Sequence, residues 1–406
     1  MTVLVTDGEQ RSALAAVRSL GRAGMRVAVA GQHPCLAGIS RWCAVRIACP
    51  SAAEDRRRFV ACVSRAADKH DVRLILPASD ASVLALSEER ARLPAGCALP
   101  FPEHEAVVRA MDRLALLRLA SSLGVAFPRT WHVQAKDVPL PAVVKARRGV
   151  FDDKGAWQRL APIIVRTPEE LSGAWSQFSA RGMDPLIQEY VPGEGWGLFA
   201  LCDGGKPLAA FAHRRIREKP PDGGVSVLRE SVAIEEGPAR QALALLKALE
   251  WTGLAMVEFR RDVRQPAGGR AEDGSFKLME INPRIWGSVQ LAIDCGVDFP
   301  RLLYEWTVLG REPARPPAGW RVSYRAGARS RWLMGDLDYL SIVLRRGNGV
   351  RLPAIASFFA ARQGRLEIER ASDPLPAVQE KIVWAAETWR ALVGRIVPGV
   401  FSGRGR

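Results

Sequence analysis

Two short apolar runs, "LAMVEFRRD" (254–262) and "FKLMEINPR" (276–284), constrain this chain more than any other feature. Each reads as a buried strand with a glutamate inside it, Glu258 in the first and Glu280 in the second. A long, polar, glycine-rich segment joins them, so the pair is expected to form an antiparallel hairpin. Strand side chains alternate faces, which puts Glu280, Asn282 and Arg284 on one side. Facing residues in such a ladder are about 5 Å apart. Two carboxylates that close repel unless one is protonated or a cation lies between them. Two carboxylates and an amide oxygen, with no soft ligand, suit Mg2+ or Mn2+ completed by waters and phosphates. Arg284 stands one pleat further on, where a guanidinium can hold a phosphate oxygen or a developing oxyanion.

Residues 1–105 alternate short apolar strands ("TVLVTD", "MRVAVAG", "VRLILPASD") with helical runs, the pattern of a Rossmann-like parallel layer. "TDGEQRS" holds one glycine where a dinucleotide fingerprint needs three, which argues against such a cofactor. Apolar residues at helical spacing from Val107 to Leu123 predict one helix ended by Gly124. "PAVVKA" is then a buried strand, and its Lys145 is costly there unless the ammonium meets an anion. "DPLIQEYVPGEGWGLFALCDGGKPLAAFAHRRI" reads as three strands separated by a glycine-rich turn and a "DGGK" hairpin turn. A basic patch follows, "AHRRIREKPPDGGVSVLRE", with His213, Arg214, Arg217, Lys219 and Ser226.

Taken in order, these segments resemble the ATP-grasp superfamily, in particular its bacterial carboxylate–amine ligase-like members, over roughly residues 1–310. "MDRLALLRLASSLGVAFPRT" is similar to the entry into the small lobe, "AVVKA" to the nucleotide-lysine strand, "QEYVPGEG" to the adenine hinge, and "MVEF" with "LMEINPR" to the magnesium strands. The resemblance implies a mixed α/β and α+β fold: a Rossmann-like pre-ATP-grasp layer (1–105), a small lobe (about 106–186), a large lobe built on an antiparallel sheet (about 187–310), and a basic C-terminal extension (311–406). It implies ATP and Mg2+ as cofactors. Lys145 would contact the phosphates, and Glu189, Tyr190 and Val191 would read the adenine edge. Glu194 would accept from the ribose; Arg214 and Lys219 would face the nucleotide. Glu258, Glu280 and Asn282 would hold the metal, and Arg284 would sit where an acyl phosphate forms. The implied reaction ligates a small-molecule carboxylate to an amine, or to a thiol, through that acyl phosphate; a catalytically silent ATP-binding regulator is the alternative. Two departures stand out. Arg113 occupies a position that is often lysine, and the loop after Lys145 reads "ARRGVFDDKG", poor in glycine, with Arg147, Arg148 or Lys154 as candidate replacements for its phosphate-cradling backbone.

Charge enters last. The net +15 is uneven: residues 311–406 hold 17 Lys and Arg against 8 Asp and Glu, a net +9. No nucleic-acid reading motif accompanies the basic residues, so nucleic acid is not an expected partner. Trp384 and Trp389 sit at helical spacing with other apolar residues, which predicts a helix over 376–398 packed on the body; contact with an acidic membrane is the alternative. No stretch of 18 residues lacks charge and the seven cysteines form no CxxC pair, so a cytoplasmic protein with reduced thiols is expected.

Overall fold

The computed structural model describes residues 1–406 apart from 33, 133–136, 150, 154–155, 159, 265–274, 314–322, 347–350, 361–363 and 397–406. Lys154 and residues 265–274 of the hairpin loop therefore lie outside the described residues. The first layer is built from β1 (Thr2–Val5), α1 (Arg11–Arg22), β2 (Arg26–Gly31), β3 (Val45–Ala48), α2 (Arg56–Lys69), β4 (Val72–Leu76) and α3 (Asp80–Glu88). Its strands run parallel in the order β3-β2-β1-β4. β1 is buried throughout, as its unbroken apolar run requires when helices cover both faces.

The single helix expected over 107–123 is two, α4 (His104–Met111) and α5 (Arg113–Ser122). Asp112 causes the break: its side chain accepts from the Leu114 and Ala115 backbone N–H groups and caps α5. Next come β5 (Thr130–Trp131), β6 (Ala142–Ala146), β7 (Phe151–Asp153), β8 (Ala156–Gln158), β9 (Ile163–Val165), α6 (Pro168–Ser179) and β10 (Pro185–Glu189). β5, β10, β6 and β9 form a small antiparallel sheet in that order, and α6 covers it through Leu171, Ala174 and Phe178.

The large sheet begins with β11 (Gly193–Asp203), β12 (Lys206–Lys219) and β13 (Val225–Ser231). After α7 (Glu236–Ala248) come β14 (Gly253–Asp262), β15 (Phe276–Asn282), α8 (Val289–Cys295) and α9 (Phe299–Thr307). "GEGWG", read above as a turn, is the start of β11. The β11–β12 turn is Gly204-Gly205 with φ of 53° and 80°, the left-handed pair that a two-residue hairpin needs. One face of the sheet packs Trp196, Leu198 and Ala200 on α7. The other packs Phe199, Leu201 and Met256 on α1, α8 and α9.

The basic extension supplies β16 (Arg329–Arg331), α10 (Leu333–Arg346), α11 (Arg351–Phe359), β17 (Arg365–Leu366) and α12 (Leu375–Ile396). β16 and β17 continue the large sheet beyond β13, giving the order β15-β14-β11-β12-β13-β16-β17. The expected packing of α12 holds at Pro376 and Ala377, which are buried, while the side chains of 391–398 lie outside the described residues. Trp384 is half-buried and donates to Asp338 at 2.8 Å, but Trp389 is 67% exposed. The apolar spacing was real; the face it marks points outward. None of the seven cysteines is bridged, and among the described residues no helix is long and apolar enough to cross a membrane.

Candidate active site

The β14–β15 register places Glu258 directly opposite Glu280, and Met256 opposite Asn282. A bulge follows, since Phe259 pairs with Leu278 and Met279 is left over; such an extra residue re-aims the side chains beside it. Burial pushes the Glu258 carboxyl above its ordinary range; Arg215 opposes this and Glu280 adds to it. Glu280 accepts from Arg113 Nη2 at 3.0 Å and from Asn282 Nδ2 at 3.3 Å.

Lys145, on β6 of the small sheet, is 6% exposed. Its pKa falls from 10.5 to about 7: burial lowers it most, Arg113 adds to the fall, and Glu280 and Glu258 offset part of it. Arg113 ties this strand to the large lobe, because its Nη1 donates to the Ala146 carbonyl at 2.6 Å while Nη2 holds Glu280. On the other side, Arg284 Nε donates to Asp80 Oδ1 at 2.6 Å, and Nη2 reaches Asn282 Oδ1 at 3.4 Å. Asp80 opens α3, just past the carboxyl end of β4, so the first layer lends an acid to the hairpin. Asp80, Arg113, Leu116, Gly149, Glu280 and Asn282 line one cavity.

The basic patch divides by direction. His213 is buried and hydrogen-bonded to Ser288 Oγ at 2.7 Å; burial, with Arg229 and Arg215 nearby, pushes its pKa well down and leaves it neutral. Arg214 lies 3.4 Å from both Glu194 and Glu230. Arg217 and Lys219 turn toward α10, onto Asp336 and Asp338, each at 2.6 Å. Ser226 is buried, its hydroxyl 3.5 Å from the Leu228 carbonyl.

Sequence reasoning passed over Arg215, which reaches from β12 across β11 to pair with Glu258 on β14 while holding Glu218 at 2.9 Å. The missed signal was the alternate glycines of "GEGWG". A Cβ on Gly195 would lie 2.8 Å from Arg215 Cδ, so the glycine leaves the notch through which the arginine passes. Asp80 was passed over too, because nothing local marks its tertiary partner.

At the hinge, Tyr190 and the buried Val191 lead from the small sheet into the large one. The Glu189 carboxylate accepts from the Arg129 N–H at 3.1 Å and Arg264 Nη2 at 2.6 Å. In the glycine-poor loop, Arg147 and Arg148 fold back on Asp112 at 3.0 and 3.2 Å.

No protein-family model matches the sequence, and no curated protein does. Solved structures do. An L-amino acid ligase from Bacillus licheniformis aligns over 75% of this chain and 73% of its own, with TM-score 0.56 and 14% identity. N5-carboxyaminoimidazole synthetase from Staphylococcus aureus aligns over 86% of both chains, with TM-score 0.59 and 14% identity. Biotin carboxylase from Campylobacter jejuni, as its beta-gamma-ATP complex, aligns over 80% of this chain and 74% of its own, with TM-score 0.58 and 15% identity. Identity this low speaks for architecture alone, and together with the sheet order and the facing glutamates it gives one conclusion: the chain has the ATP-grasp fold.

Proposed function

We propose that this chain is an ATP-dependent ligase that activates a small-molecule carboxylate as an acyl phosphate and transfers the acyl group to an amine. The observation that carries the reading is the convergence of Glu258 and Glu280 on the large lobe with Lys145 and Arg113 at the small lobe's edge. A buried, near-neutral lysine beside facing carboxylates is costly alone and becomes favourable when polyphosphate and cation arrive together. The donor set fits Mg2+: Glu258, Glu280 and the Asn282 amide are hard oxygen donors, and the elevated Glu258 pKa is what a dication would relieve. The amide would have to turn over, since its nitrogen now faces Glu280 and its oxygen Arg284. When bound, the metal neutralises phosphate oxygens.

In this reading Lys145 and Arg113 orient the phosphates, and residues 189–191 hold the adenine edge. The carboxylate oxygen attacks the γ-phosphorus as its bond to ADP breaks. The amine then displaces phosphate from the acyl carbon. Arg284, held by Asp80, offers its remaining N–H groups to the oxyanion. One observation favours a second reading, the silent nucleotide binder: Arg215 already neutralises Glu258. Phosphate release separates the two. Mg2+-ATP should stabilise the chain by about 2.7 kcal/mol at a hundredfold excess over Kd, and pooled carboxylates and amines should elicit phosphate. Absence of any thermal shift sinks both readings; a shift with no phosphate from any pool favours the silent one.

A further inference from the structure

The last helix is mounted inside out. Toward the body α12 presents hydrogen-bonding side chains: Gln379 donates to the Pro34 carbonyl at 3.0 Å, Glu380 accepts from Trp332 at 2.7 Å, and Trp384 donates to Asp338. Toward solvent it presents Leu375, Val378, Ile382, Val383 and Trp389, each between 46% and 67% exposed. Steps of three, four and seven residues put 375, 378, 382 and 389 on one stripe. Leu352 and Phe359 of α11 are more exposed still, at 79% and 75%. Apolar stripes of this kind mark a surface that something covers.

Charge identifies the cover. The acids of the extension point inward: Asp336 pairs with Arg217, Glu367 with Arg11 and Arg229, and Asp373 with Arg18. Of its bases, Arg331 and Arg370 turn inward onto Asp336 and Asp294, whereas Arg345, Arg346, Arg365, Lys381 and Arg390 are exposed. Glu312 and Glu387 are the exposed acids among the described residues of the extension. A second copy of the chain would meet this surface with the same positive sign. Nucleic acid would satisfy the charge and leave the apolar stripe in water. An anionic lipid surface matches both, with the stripe at the acyl boundary and the bases among the headgroups.

We infer that α12, assisted by α11, is an interfacial helix that seats this protein on acidic lipid bilayers. The inference is independent of the proposed ligase chemistry.

The test uses the full-length chain, sedimented with phosphatidylcholine vesicles with and without phosphatidylserine. Binding is expected to the mixed vesicles only and to fall as salt rises. Ile382→Asp, and separately Trp389→Ser, should weaken it about tenfold with the melting temperature unchanged, because both side chains are mostly exposed. Lys381→Glu with Arg390→Glu should weaken it and flatten the salt dependence, since each basic residue contributes about fivefold. Four results would overturn the inference: no sedimentation with acidic vesicles, equal sedimentation with neutral ones, a dimer in light scattering that Ile382→Asp dissolves, or retention on nucleic acid that the apolar variants leave intact while vesicles fail.

Discussion

Replacing Lys145 by methionine tests the electrostatics of the site without a known substrate. Methionine keeps the length and apolar contacts of the buried stem and removes the ammonium. In the unfolded chain the lysine titrates near 10.5, and in the folded chain at about 7. Below pH 7 both states carry the proton. Between 7 and 10.5 the folded chain has released a proton that the unfolded chain retains, so stability rises with pH across that window. At 1.36 kcal/mol per pH unit, burial of the charge destabilises the parent by about 3–5 kcal/mol at pH 6–7. Lys145→Met should therefore be the more stable protein at pH 6–7 by roughly that amount, with the gap closing toward pH 10. Urea unfolding of both proteins at pH 6, 8 and 10 measures it, and the difference between them cancels the other groups that titrate. A gap that stays constant with pH, or a variant less stable than the parent at pH 7, would refute the argument. Nucleotide supplies the complementary readout: at pH 8 the anion should draw a proton onto Lys145, so calorimetry in two buffers of different ionisation enthalpy should report uptake that the methionine variant lacks.

Other outcomes follow from the same geometry. Glu280→Gln keeps the shape and removes one hard donor, so phosphate release should fall by two or more orders of magnitude, while a fluorescent adenine nucleotide still binds; wild-type turnover would mean that the metal lies elsewhere. Gly195→Val should fill the notch beneath Arg215, displace it from Glu258 and destabilise the fold by about 1–3 kcal/mol in urea melts, and a variant as stable as the parent would mean that the notch is slack.

What the sequence disclosed depended on whether the information was local. Glu258 and Glu280 were legible because strand periodicity and an obvious hairpin fix which residues face each other, and the register agrees. Lys145 was legible because a lysine inside "AVVKA" has few reasons to be there. Arg215 and Asp80 were not, because each matters through a partner on an element that only the tertiary fold brings near. The break at Asp112 was hidden for a related reason: an aspartate inside an apolar helical pattern looks like a surface position until Arg147 and Arg148 arrive to share it. For α12 the pattern was right and its direction was not, since periodicity reports that an apolar face exists and not which way it is mounted.

The inward acids of the extension also decide how far this protein can be taken apart. Arg18 and Arg229 are buried to within 1% of full occlusion, and their counter-ions, Asp373 and Glu367, come from the last hundred residues. Severed at residue 310, the body would lose the carboxylates that neutralise Arg18 and Arg229, and its Asp294 and Glu230 would lose the tail cations Arg370 and Arg329. Dependence thus runs both ways. The working boundary of the unit is set by the electroneutrality of its interior, somewhere past Trp384, and not by residue 310. Any chimera or minimal version must carry residues 323–384 as part of the body they neutralise.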